Sequence, residues 1–211
     1  MVPIPGGEYL MGSPDGEKGR QPDESPQHKV KIAPFWMGMF EVTWNEYEIF
    51  QYPDDEKQLR KNYPTAESLN TVSDAVTRPS KPYVEMSFGM GKENYPAIAM
   101  THHAANKYCH WLSSKTGHFY RLPTEAEWEF ACRAGSTTDF YWGNTIDSNY
   151  AWYSANANHQ THTVAGKLPN AFGLYDMGGN VWEWCNDWRD STYYANSPSV
   201  NPQGPATGTD Y

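Results

Sequence analysis

Asp176 and Glu183 stand seven residues apart, one on each side of Gly178-Gly179-Asn180. A glycine-rich turn can fold so that two carboxylates and the carbonyls between them face one point. Hard oxygen donors on irregular backbone are what Ca²⁺ takes, so the spacing raises a calcium site. The same spacing also suits a plain glycine turn between two tryptophan-bearing strands, with both acids in water. Spacing alone leaves both readings open.

Other reactive side chains form no such pattern. Cys109, Cys132 and Cys185 include no C-x-x-C pair, which argues against zinc and suits buried packing or a disulfide to something distant. His159 and His162 share one predicted loop and are a weaker metal candidate, whereas His102, His103 and His110 fall on a predicted helix as capping or surface residues. There is no H-E-x-x-H, G-x-S-x-G or P-loop, and Gly89-Met90-Gly91 lacks the third glycine of a dinucleotide fingerprint. No catalytic residue is assigned. A formal net charge of -9 disfavours nucleic acid or an anionic membrane as partner. No apolar stretch approaches the roughly 18 residues of a bilayer span, and Met1 is not followed by a secretory signal.

The elements that must position these residues are short. The 211 residues suit one domain, and 17 Gly with 16 Pro predict much irregular backbone. With 9 Trp, 15 Tyr and 8 Phe, the composition predicts a core of rings rather than of Leu, Ile and Val. Strands are expected within residues 2–11, over 28–32 by alternation, and over 35–42 as a run buried on both sides. Three helices are marked by their caps. Thr43 with Glu46 is a capping box for a helix through Tyr47 and Phe50 that stops before Pro53. Thr101 caps a second, with Ala104, Tyr108, Cys109, Trp111 and Leu112 on its apolar face and Gly117 after its end. Thr124 with Glu127 starts a third, bearing Ala126, Trp128, Phe130 and Ala131 and closing at Gly135. Residues 54–95 read as a surface excursion with one short helix near 54–61. The polar run 201–211 reads as a free polar tail or, more sharply, as a chain cut inside a longer domain.

Several of these segments together resemble one family. Arg121-Leu122-Pro123-Thr124-Glu125-Ala126-Glu127-Trp128-Glu129-Phe130-Ala131-Cys132-Arg133-Ala134-Gly135, then Trp142-Gly143-Asn144, then residues 173–184, are similar to the formylglycine-generating enzymes, the sulfatase-modifying factors. The opening at 5–13 and Phe40-Glu41-Val42-Thr43 resemble that family's start. The resemblance covers nearly all of the chain outside the 54–95 excursion. It implies an α+β class, the complex α/β fold of formylglycine-generating enzymes related to C-type lectins, with little regular secondary structure. It also implies a structural calcium held by Asp176, Glu183 and the carbonyls of Gly179 and Val181, with Asp176 standing where the family has an Asn. A second family calcium site uses an acid in the preceding loop, but residues 150–170 hold no Asp or Glu, so that site is not carried over. Cys109 and Cys132 match family cysteines whose disulfide partners lie farther toward the C-terminus.

The family's type activity is oxidation of a sulfatase cysteine to formylglycine with O₂ and Cu(I), the copper held by two C-terminal cysteines. Neither is present before Tyr211, so copper is expected only if a longer chain supplies that pair. The implied function is then sulfatase maturation, with a sulfatase or another protein or peptide as partner, and this chain alone is expected to be inactive. A rival is a non-catalytic binding or displayed module on the same fold. Another is a relative of the iron-dependent sulfoxide synthases, whose H-x-x-x-H motif is absent here.

Overall fold

The computed structural model describes residues 1–52, 75–80, 82–208 and 210. The short helix expected near 54–61, and most of the 54–95 excursion, lie outside the described residues. The fold is α+β, and the described chain forms two compact units: residues 1–40, 123–158 and 165–211, and residues 41–122 with 159–164.

In the first unit, β1 (Val2–Ile4) pairs antiparallel with β4 (Phe35–Met37), and β2 (Gly7–Met11) pairs antiparallel with β3 (His28–Ile32). Period-two alternation puts Val30 and Ile32 inward and Lys29 and Lys31 outward, as a half-buried strand requires. Gly6 makes the corner between β1 and β2 at φ +69°, where a Cβ would lie 2.7 Å from the Ile32 carbonyl oxygen. On the free edge of β3, Lys31 donates its N–H to Ser199 (2.8 Å) and accepts from Asn201 (2.9 Å), so the 199–201 segment extends the sheet.

Helix α3 (Glu125–Arg133) packs on β2 and β3 and is tied down along its length. At its start the Thr124 hydroxyl accepts from the Glu127 N–H (3.2 Å) and the Glu127 carboxylate accepts from the Thr124 N–H (2.9 Å). In its first turn the Tyr9 hydroxyl donates to the Ala126 carbonyl (2.9 Å), and midway the Gly12 N–H donates to the Glu129 carboxylate. The helix ends in left-handed backbone at Ala134, one residue before the glycine expected to close it. The core around it contains Ile4, Met11, Val30, Ile32, Ala126, Phe130, Leu174 and Met177.

In the second unit, α1 (Trp44–Gln51) and α2 (His102–Thr116) start at the threonines the sequence marks. The Glu46 carboxylate accepts from both the backbone N–H and the hydroxyl of Thr43, each at 2.9 Å. The Thr101 hydroxyl accepts from Ala104, and Gly117 closes α2 at φ +73°. The core here is a ring cluster of Trp44, Tyr47, Phe50, Tyr108 and Trp111, with Phe50 to Trp111 and Phe50 to Tyr108 centroids at 5.6 and 5.9 Å. Arg78 donates to the Phe50 carbonyl (2.6 Å) at the C-terminal end of α1, where positive charge suits the helix dipole.

Two expectations are corrected. The 35–42 run is a strand only at Phe35–Met37, and it is not buried: Trp36 is 65% exposed and Met39, Phe40 and Val42 also face solvent. The all-ring core holds for the second unit, whereas aliphatic side chains dominate the first. Among the described residues no helix is long and apolar enough to cross a membrane.

Candidate metal centre

The loop carrying Asp176 and Glu183 is anchored at its start by Asn170. Its side-chain amide donates to the carbonyls of Ala131 (2.7 Å) and Cys132 (3.1 Å), orphan acceptors at the end of α3. The Oδ1 of the same side chain accepts from the Phe172 N–H (3.0 Å) and the Leu174 N–H (3.1 Å), folding the chain back on itself. Leu174 and Met177 then enter the core, and the Cys132 thiol donates to the Met177 carbonyl (3.4 Å). Asp176 lies between these two plugs and is therefore carried inside with them.

Asp176 is 2% exposed and adopts φ +62°, a left-handed conformation that a short polar side chain tolerates. Its Oδ2 accepts the Ala165 N–H at 2.6 Å. One turn on, Gly179 donates to the Asp176 carbonyl (3.1 Å) and accepts from Val181 (3.0 Å), while Asn180 donates to the Trp152 carbonyl (2.9 Å). Gly179 presses so closely on Trp152 that a Cβ there would lie 2.1 Å from the carbonyl oxygen. Glycine at 179 is thus a steric requirement. Trp182 turns fully into solvent, and Glu183 turns back toward α3, where its Oε2 accepts the indole N–H of Trp128 at 3.0 Å. Burial pushes the Glu183 carboxyl up to about 7, the Trp128 hydrogen bond opposes that rise, and the charge of Asp176 adds to it.

Asp176 therefore lies inside the protein, and Glu183, part-buried, turns its carboxyl back onto α3. That rules out the reading in which both acids are bathed in water. Over residues 1–210 the chain matches the family described as "Sulfatase-modifying factor enzyme 1-like domain".

The chain belongs to that family.

It is 32% identical to the formylglycine-generating enzyme of Streptomyces coelicolor over 241 residues, a match covering 99% of this chain and 75% of the relative. It is 36% identical to the serine/threonine-protein kinase pkn1 of Chlamydia pneumoniae, covering 99% of this chain but spanning only 31% of the kinase. Among solved structures, PvdO from Pseudomonas aeruginosa superposes with a TM-score of 0.70 at 30% identity, covering 98% of this chain and 77% of that one.

Of the residues the family resemblance assigns to calcium, Asp176 and Glu183 supply inward carboxyls, and Gly179 and Val181 lie on the turn between them. Sequence reading missed Trp128, Ala165 and Trp152, which contact this loop from elsewhere in the chain. No local pattern could reveal them, since Trp128 is 55 residues from Glu183. Among the described residues no group of three or more His, Cys, Asp or Glu side chains is placed to hold a metal ion, so a cation here needs backbone carbonyls as well as the two acids.

The remaining candidates carry no comparable arrangement. His159 is exposed on left-handed backbone, and buried His102 lies 3.3 Å from the Asn106 side-chain amide. All three cysteines are free thiols. Burial pushes Cys109 up to about 11, Cys132 up to about 12 and Cys185 higher still, with nearby acids adding to the rise at Cys132 and Cys185. Cu(I) takes a pair of neighbouring thiolates, whereas Cys109 lies on α2, Cys132 on α3 and Cys185 beyond the 176–183 loop.

Proposed function

We propose that this chain is a formylglycine-generating-enzyme-like module whose loop at 176–183 is built to enclose a structural Ca²⁺. The observation that carries the reading is a buried Asp176 and a Glu183 carboxyl turned back onto α3, on either side of a turn that only glycine can make. Like charges held together in a low-dielectric setting favour either a proton or a cation between them. Asp176 and Glu183 would supply the charge, and the carbonyls of Gly179 and Val181 would complete an all-oxygen donor set. When bound, the ion neutralises the acids and holds the loop closed. Chelator-treated protein should melt several degrees higher when Ca²⁺ is added, and Mg²⁺, which gives up its water reluctantly, should do less.

Family membership supports sulfatase maturation, the oxidation of a sulfatase cysteine to formylglycine, as the function of a longer protein that contributes the copper-binding pair. The three cysteines of this chain do not fit that role, so no oxidation step is derived from them. A peptide bearing Cys-x-Pro-x-Arg, incubated with this chain, Cu(I) and O₂, should yield no aldehyde by mass spectrometry above a copper-only control. The second reading is a non-catalytic binding module. It is favoured by the match to a segment of a protein kinase, which shows the same domain as a minor part of a larger chain.

A further inference from the structure

Resting on the calcium reading above, we propose that Trp128 is a positioning residue for the cation site, its indole N–H holding the Glu183 carboxylate in the orientation in which it ligates. Glu183 lies in a segment without regular structure, directly after the solvent-exposed Trp182, so its own backbone does little to aim it. Trp128 lies on the opposite kind of support. Helix α3 is capped by Thr124 and Glu127, bonded in its first turn by Tyr9, and gripped at its last carbonyls by Asn170. The Nε1 to Oε2 distance of 3.0 Å is a good hydrogen bond from a group that can only donate.

A purely structural role would ask only that the indole N–H find an acceptor, and any backbone carbonyl would serve. Here it meets the Oε2 of a part-buried carboxylate instead, on the residue that closes the loop begun at Asp176. A carboxylate has two oxygens, so a donor fixed on one leaves the other for an ion. Outer partners of this kind orient ligands, and their loss typically costs about 10–100-fold in metal affinity.

The test is calorimetric titration of chelator-treated protein with CaCl₂. Wild type must bind; absence of binding overturns the calcium reading and this inference with it. With wild-type binding in hand, Trp128→Phe keeps a ring against the core and removes only the donor. Its calcium affinity should fall by roughly 10–100-fold, and wild-type affinity in this variant overturns the inference alone. If Trp128→Phe does not fold, the wild-type protein still decides. The assigned Trp128 indole N–H resonance should shift through the CaCl₂ titration with the midpoint of binding. A resonance that stays still while calcium binds overturns the inference.

Discussion

The unit built on α1 and α2 fills its centre with Trp44, Tyr47, Phe50, Tyr108 and Trp111, whereas the unit built on α3 has an aliphatic core with the carboxyls of Asp176 and Glu183 drawn in at its edge. Rings meeting edge to face need little beyond close packing, because apolar burial and ring contact act in the same direction. Carboxyls drawn inward act against folding unless a donor or a cation meets them. Packing alone therefore accounts for the first arrangement. The second calls for a partner, and residues outside the loop supply much of one in the Ala165 and Trp128 donors.

The comparison is broken most severely at Phe50, which is fully buried and touches Tyr47, Tyr108 and Trp111. Phe50→Ala should cost about 3–5 kcal/mol in urea unfolding, from lost transfer energy and the cavity left behind. A cost below ~1 kcal/mol would mean that the ring cluster is loosely packed.

The carboxyl side is sharpened by pH. Glu183 is raised from 4.5 to about 7 in the folded protein, so the native state holds its proton more tightly than the unfolded chain. The sign follows from linkage: the metal-free protein is most favoured below the unfolded value, and this contribution is lost as pH rises through the folded value. The decline should be on the order of 3 kcal/mol between about pH 4 and pH 8. Glu183→Gln should flatten the profile relative to wild type, and the difference between the two separates Glu183 from the other acids. Parallel profiles would show Glu183 to be an ordinary solvated acid.

Smaller effects follow at Gly179 and Thr124. Gly179→Ala forces a Cβ toward the Trp152 carbonyl, and a displacement of that kind should cost roughly 1–3 kcal/mol. The same substitution should weaken calcium binding, which a calcium titration reads separately from the melt. Thr124→Ala removes one half of the capping box and should cost about 1 kcal/mol in thermal unfolding. It should leave calcium binding intact, because α3 keeps its ties to Tyr9, Gly12 and Asn170.

What the sequence discloses follows from the range of the interactions. Thr43 with Glu46, Thr101, and Thr124 with Glu127 mark the helix starts because a cap is settled within four residues. Asp176 and Glu183 stand out as a pair because both lie on one short turn. That both turn inward was not legible. The burial of Asp176 and the inward turn of Glu183 depend on Leu174 and Met177 entering a core made of strands from the other end of the chain, and on donors at 128 and 165. The exposed face of Phe35–Met37 misled for the same reason. A run of rings reads as buried until the neighbouring elements are known; among the described residues β4 pairs with β1 alone, and Trp36 is left in solvent while Phe35 and Met37 pack on the core.

The most direct measurement is the melting temperature of chelator-treated wild type and Glu183→Gln as Ca²⁺ is added. At a hundred times the dissociation constant, binding confined to the folded state adds roughly 2.7 kcal/mol. Wild type should therefore rise by several degrees while Glu183→Gln, lacking a charged ligand, stays near its starting value. A wild-type melt that does not move, in protein shown to be metal-free at the start, would contradict the calcium site and leave Asp176 and Glu183 as ordinary turn residues.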